Sequence, residues 1–312
     1  MIKTFAIDPD AIKDAEVCAH FRYFGFDKGR IIGAIPNEWI NELTRALSEI
    51  EPTRESRIRI HVEELMKTGA IQRLPGISPT NSWIETAIAT SDDFIQGIIV
   101  ESKKGNGDKR LLDSNDLGDK GSIWDVPSHL IINRDAKEMA QQVAVFMRHA
   151  KLIRFIDPYY CAERRYLSFV HECLDIRRQW PSKSRLCLEF HFVIKPNGYG
   201  RDLESIRSET IGDFSKCSDA TIRSVRKKMR PQDSCAFFQW VDSRVDAADR
   251  FHERYLLTEL GGVEFGGGLD SKLNKETTSV SRLSSQTLEK LAQTYSKSGS
   301  RLTPVRDQTH IF

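Results

Sequence analysis

The sequence predicts an α/β protein: a mixed β-sheet flanked by helices over residues 136–312, preceded by a helical-rich α+β accessory domain over residues 1–135. Three observations carry this expectation. The second stretch alternates apolar strand-like runs with amphipathic helices, the pattern of a sheet with helices on both faces. Its run CAFFQWVD, from Cys235 to Asp242, is apolar on both faces, as a central strand is. The first stretch shows mainly helical stripes, and 312 residues is the length of about two domains.

The elements follow in order. Pro36 and Asn37 open a helix that puts Trp39, Ile40, Leu43, Leu47 and Ile50 on one stripe. A second helix runs from about Glu55 to Lys67, with Ile58, Val62, Leu65 and Met66 turned inward. Trp83 to Ala89 is a short helix, and the β-branched run from Phe94 to Glu101 is a strand. The polar stretch KKGNGDKRLLDSNDLGDKG, residues 103–121, is an exposed loop. Asp135 caps a helix that continues to about Ala150, and LIRFIDPYY is a strand ending at Asp157-Pro158. A helix from Ala162 to Gln179 stops at Trp180-Pro181, and LCLEFHFVI from Leu186 to Ile194 is the next strand. Residues 199–216 are polar and irregular, Asp219 opens a helix to about Arg230, and a strand spans about Phe251 to Thr258. Gly261-Gly262 is a hairpin turn. Leu288, Leu291 and Tyr295 mark a C-terminal docking helix.

Composition narrows the function classes. Lys+Arg 46 against Asp+Glu 44 leaves a formal charge of +2, which excludes a histone-like or acidic-tail protein. With 39% apolar and 29% charged residues the chain reads as globular rather than disordered. No apolar run approaches the ~18 residues of a membrane span. The opening MIKTFAIDPDAIKDAE carries acidic residues where a signal peptide has its apolar stretch. The expectation is a cytoplasmic protein without a membrane partner. The six cysteines form no C-x-x-C pair and no two histidines lie three to five residues apart, so neither a zinc site nor another cofactor is expected. The thiols read as reduced.

One segment carries chemistry: FHERYLLTELGGVEFGGGLD, residues 251–270. Side chains alternate faces along a strand, so His252 and Arg254 point to one side. An imidazole and a guanidinium aimed at one spot suit a phosphate-bearing substrate. The His attacks phosphorus or moves a proton, and the Arg offsets charge on the oxygens. Glu259, where the strand ends, could turn back to orient an imidazole, and Gly266-Gly267-Gly268 could offer backbone N–H groups to a phosphate.

This spacing resembles the phospholipase D superfamily, whose motif is His-x-Lys, four residues, Asp, about six residues, then Gly-Gly or Gly-Ser followed by Asn. His252 matches the His, Arg254 the Lys, Glu259 the Asp and Gly266-Gly267 the glycine pair; Asp270 stands near the Asn position, one residue late. Asp157-Pro158-Tyr159-Tyr160 is similar to the D-P-Y segment that closes the opening strand of such domains. The resemblance covers about residues 137–296 and leaves 1–135 unexplained. It implies a phosphodiesterase with nucleic acid as substrate, acting without metal through a phosphohistidine. One motif per chain implies a homodimer that shares the site across a two-fold axis, with His252 of each copy facing the other. Bacterial proteins of this kind often act in defence against foreign nucleic acid. The departures at Arg254, Glu259 and Asp270 keep a rival open: a module that retains the fold and binds nucleic acid or scaffolds a larger complex. A third reading is a subunit active only with a helicase-like partner.

Other residues have two readings each. Asp157, at a strand end, either supports the site or caps a turn. On the helix from Asp219, Arg223, Lys227 and Arg230 form either a solvated stripe or a nucleic-acid-binding one, which Arg164-Arg165 and Arg177-Arg178 could widen. His191 shares a strand face with Glu189, lining a cleft or sitting in the core, and His171 reads as structural.

Overall fold

The computed structural model describes all residues except 37, 75–76, 78–79, 81, 104–106, 182–183, 195–202, 241–252, 273–275 and 297–303. The described residues form two compact units, Met1–Ser128 and His129–Phe312.

The first unit is a parallel α/β sheet. Its strands are β1 (Lys3–Ile7), β2 (Arg30–Ala34), β3 (Ile71–Arg73), β4 (Gly97–Ile99) and β5 (Leu111–Leu112), in the order β3-β2-β1-β4-β5. Its helices are α1 (Ala15–His20), α2 (Trp39–Leu47), α3 (Pro52–Lys67) and α4 (Trp83–Ala89). Parallel strands need crossovers, and these helices supply several of them. Trp39 Nε1 donates to the Ile7 carbonyl at 2.6 Å, fixing α2 at the end of β1, and Trp83 Nε1 donates to the Ile35 carbonyl at 2.7 Å beyond β2. Gly97 lies against the Phe5 ring so closely that a Cβ would sit 2.5 Å from it. The expectation of a helical-rich α+β domain is therefore corrected. The stripe of α2 and the whole of α4 lie where the sequence placed them, but five short strands organise them. Leu111 and Leu112, expected in an exposed loop, are buried in β5, and Met66 is exposed. The sheet's switch point lies between β1 and β4. There burial raises the Asp8 carboxyl; the hydrogen bond from Asp10 N opposes the rise, and the Asp10, Glu101 and Glu42 charges add to it.

The second unit is a mixed eight-stranded sheet. The chain runs β6 (His129–Asn133), α5 (Ala136–Gln142), α6 (Ala144–His149), β7 (Leu152–Ile156), α7 (Arg164–Gln179), β8 (Cys187–Val193), α8 (Leu203–Val225), β9 (Ser234–Trp240), β10 (Tyr255–Thr258), β11 (Gly262–Phe265), β12 (Thr277–Arg282), α9 (Ser285–Thr294) and β13 (Arg306–Ile311). The sheet order is β13-β9-β8-β7-β10-β11-β12-β6, with β7, β8 and β9 parallel and the other pairings antiparallel. The expected boundary at 135/136 would have left β6 in the first domain. Its pairing with β12, Ile132 opposite Thr278, places it in the second.

The two faces of this sheet are packed differently. On one, Phe155 of β7 meets Phe169 of α7 edge-on and stacks on Phe190 of β8, which stacks in turn on Phe237 of β9. On the other, Ile156, Phe238, Trp240, Tyr255 and Leu257 form a core with Tyr295, against which Leu288 and Leu291 of α9 pack. The docking helix thus covers that face, as its stripe implied. Two expectations are corrected. The helix after Asp135 breaks at Val143 into α5 and α6. The segment expected to be irregular is the first half of α8, which turns Ile206, Thr210 and Phe214 inward at every fourth residue. The C-terminal residues form an edge strand, β13, paired with β9. All six cysteines are free thiols, and no described helix is long and apolar enough to cross a membrane.

Candidate anion-binding site

Residue alternation sets the site. Phe155 faces α7, so two residues on, beyond the end of β7, Asp157 faces the same way. On β10, Tyr255 and Leu257 belong to the α9-side core, which turns Arg254 and Leu256 toward α7. The ladder continues one residue beyond β10: Phe265 N donates to the Arg254 carbonyl at 2.9 Å. Arg254 and Asp157 therefore meet at the carboxyl end of β7.

They line a cavity of about 310 Å³ with Arg134, Tyr159, Arg165, Tyr166, Gly267, Gly268, Asp270 and Lys272. Arg134 stands just before α5, Arg165 and Tyr166 in the first turn of α7, and the last four in the loop after β11. The first turn of α7 also presents the positive end of its helix dipole.

Most of the charges are internally paired. Arg134 pairs with the Asp270 carboxylate and donates through Nε to the Asp270 carbonyl at 2.9 Å. Arg165 pairs with Glu163 at 2.9 Å and lies 3.7 Å from Asp270; Lys272 pairs with Glu276 at 2.8 Å. Asp157 accepts from Tyr159 N and Leu269 N, each at 2.9 Å. Burial raises the Asp157 carboxyl; those two N–H donors and the Arg254 charge oppose the rise, and Asp270 adds to it. Arg254 differs. Among the described residues it makes no ion pair, and its Nε is buried without a hydrogen-bond partner. Its guanidinium lies 5.4 Å from the centroid of the Tyr159 ring. Tyr166 lines the same cavity, and its hydroxyl makes no hydrogen bond among the described residues. Burial first, then Asp157 and Asp270, push its phenol up, so it keeps its proton and is a donor. The buried Arg254 Nε, a donor without an acceptor, costs about 1–3 kcal/mol. An anion entering the cavity could accept from both groups.

The structure sorts the expected site residues. Arg254 and Asp157 meet in the cavity, and Gly267, Gly268 and Asp270 border it. His252 lies outside the described residues. Glu259 is corrected: it sits at the opposite end of β10, roughly 17 Å from Arg254 at strand rise. There its carboxylate accepts from Lys151 N at 2.6 Å and Leu152 N at 3.0 Å, pinning the start of β7.

The glycines are corrected as donors. Gly266 N donates to the Ser279 carbonyl, Gly267 N to Thr278 Oγ1 and Gly268 N to the Phe265 carbonyl, at 3.0, 2.9 and 3.2 Å, so none is free for a phosphate. They give room instead. A Cβ on Gly266 would lie 2.3 Å from Ser279 Oγ, and one on Gly268, at φ +107°, 2.9 Å from both Arg134 Nη2 and Asp270 Oδ1. Asp270 holds Arg134 rather than a phosphate. Arg223 and Lys227 are exposed and do not line the cavity. Arg230 N donates to Asp233, whose carboxylate also accepts from Leu186 N at the start of β8, the end of the parallel strands remote from the cavity.

His191 is a core histidine, 0% exposed. It is stacked on Phe238 at 4.6 Å, with Trp240 Nε1 donating to its Nδ1 at 3.1 Å and its Nε2 3.3 Å from Glu189. The acceptor role of Nδ1 puts the proton on Nε2. Arg134, Tyr159, Tyr166 and Lys272 were not identified from sequence as site residues. Arg165 was considered only as part of a wider basic patch.

The chain matches no family model and no curated protein. Among solved structures it is similar to TrmBL2, an archaeal chromatin protein whose structure shows a novel mode of DNA binding. The identity is 11% and the TM-score 0.22, over 54% of this chain and 50% of that one. The chain thus spans about half the length of that protein, and a likeness at that score carries no argument.

Proposed function

We propose that the second unit is a phospholipase D-like domain whose cavity binds a phosphodiester of nucleic acid and cleaves it. The observation that carries this reading is Arg254: a guanidinium with a buried, unpartnered Nε in a cavity that also collects Arg134, Arg165 and Lys272. In the proposed reaction His252 of one copy attacks phosphorus, and the bond to the leaving oxygen breaks as His252 of a second copy protonates it. Water then attacks the phosphohistidine, giving its proton to that second imidazole while the P–N bond breaks. Arg254 and the Tyr166 hydroxyl hold the non-bridging oxygens. Cations already occupy the place where a metal ion would neutralise charge, which supports a metal-independent route.

The test is cleavage of end-labelled DNA and RNA with and without chelator. Cleavage that survives chelation, disappears in His252→Ala and leaves a trapped phospho-adduct on His252 is the expected result. Cleavage abolished by chelator but indifferent to His252→Ala would refute it. A second reading, binding without catalysis, is favoured by the pairing of Asp270 with Arg134 and the engaged glycine N–H groups. It is the outcome if salt-sensitive binding is retained with no cleavage of any substrate.

A further inference from the structure

The cavity holds an aromatic group that phosphate binding alone does not use. Tyr159 is 50% exposed, the most exposed phenylalanine, tyrosine or tryptophan side chain among the described residues. It borders the cavity, and its backbone is held by the Asp157 carboxylate at 2.9 Å. The Arg254 guanidinium packs over the ring, 5.4 Å from its centroid. A phosphate bound by Arg254 therefore has a half-exposed π-surface within one nucleotide of it. The volume, about 310 Å³, is at the small end of ligand pockets. It suits one phosphate with its neighbouring sugar, not two strands.

Resting on the reading that the bound anion is a nucleic-acid phosphate, we infer that the cavity takes single-stranded nucleic acid, with one unpaired base stacked on Tyr159. Stacking needs a free base face. Paired bases in a duplex present edges in the grooves and keep their faces covered, whereas a single strand offers every face without an unpairing cost. Arg165 and Lys272, with side chains 48% and 38% exposed, stand at the rim where flanking phosphates would pass.

The test is fluorescence anisotropy of the full chain at fixed ionic strength with three phosphorothioate probes of equal length: a mixed-sequence single strand, the same strand with abasic spacers throughout, and a blunt duplex. The single strand should bind about tenfold more tightly than the abasic strand. Tyr159→Ala should lose about tenfold on the single strand and leave the abasic strand unchanged, and Tyr159→Trp should restore the loss. Equal affinity for normal and abasic strands, or preference for the duplex, overturns the stacking inference while leaving the phosphate site standing. If Arg254→Met leaves all three affinities unchanged, or no probe binds, the phosphate reading itself fails and the inference falls with it.

Discussion

Replacing Arg254 with methionine separates a group kept for binding from one kept for folding. A guanidinium that serves stability is paired, as Arg177 is by the Met147 and Arg148 carbonyls and Ser184. Arg254 makes no ion pair among the described residues and keeps Nε buried without an acceptor, a cost of about 1–3 kcal/mol. Methionine is unbranched and apolar and relieves that cost. What it loses is packing over Tyr159 and the charge that helps keep Asp157 ionised. Unfolding free energy in urea should therefore be unchanged or rise by up to about 1 kcal/mol. A charge-assisted hydrogen bond to a phosphate is worth about 1.5–3 kcal/mol, so affinity for a short oligonucleotide should fall by roughly 10- to 150-fold. The assay is anisotropy of a labelled oligonucleotide at fixed salt, alongside urea unfolding of the same preparation. A variant that loses more than about 2 kcal/mol of stability, or that binds as tightly as the parent, would refute the reasoning.

Three further outcomes follow from the same geometry. Glu259→Gln should cost about 1–2 kcal/mol, because one of the carboxylate oxygens that cap Lys151 N and Leu152 N becomes an amide; oligonucleotide affinity should not change. Gly268→Ala should cost about 1–3 kcal/mol from its φ of +107° and should also weaken binding, since the new Cβ meets Arg134 and Asp270. His191 has its pKa lowered by burial, with Glu189 opposing. Below its unfolded pKa of about 6.5 the unfolded chain binds the proton more readily, so stability is full above that pH and lost as pH falls below it. Urea unfolding at pH 7.5 and 5.5 should show a smaller loss in His191→Gln, which cannot titrate, and an identical loss in both proteins would count against the buried neutral ring.

The elements legible in the sequence are those whose burial is periodic and long: the apolar strands β8 and β9 and the striped helices α2, α7 and α9. The missed strands fail that test for identifiable reasons. β1, β2, β3 and β5 are two to five residues long, too short to show a period. β12 (TTSVSR) and β13 (RDQTHI) are polar, the latter at the sheet edge, and are held by backbone pairing rather than by a hydrophobic pattern. The first half of α8 escaped because one of its inward positions is Thr210, whose hydroxyl is satisfied by the Ile206 carbonyl and by Gln239. In the site, strand alternation sets Arg254 on the face opposite Tyr255 and Leu257, because it is a local property. It could not place Glu259, since a strand of fixed rise carries a residue five positions on to the far end. Nor could it show that the glycine N–H groups are spent on β12 and β11. Arg134 and Tyr166 come from segments about 90 to 120 residues away in the chain and meet Arg254 only through the sheet order.

The most direct measurement of the central claim is a crystal structure of the full chain with tungstate, a tetrahedral oxyanion that stands in for phosphate and is unmistakable in anomalous density. The expected result is a tungstate in the cavity, with oxygens within hydrogen-bond distance of Arg254 Nε and the Tyr166 hydroxyl, and none there in Arg254→Met crystals. An empty cavity in crystals that bind tungstate elsewhere, on Arg223 and Lys227 for instance, would contradict the account.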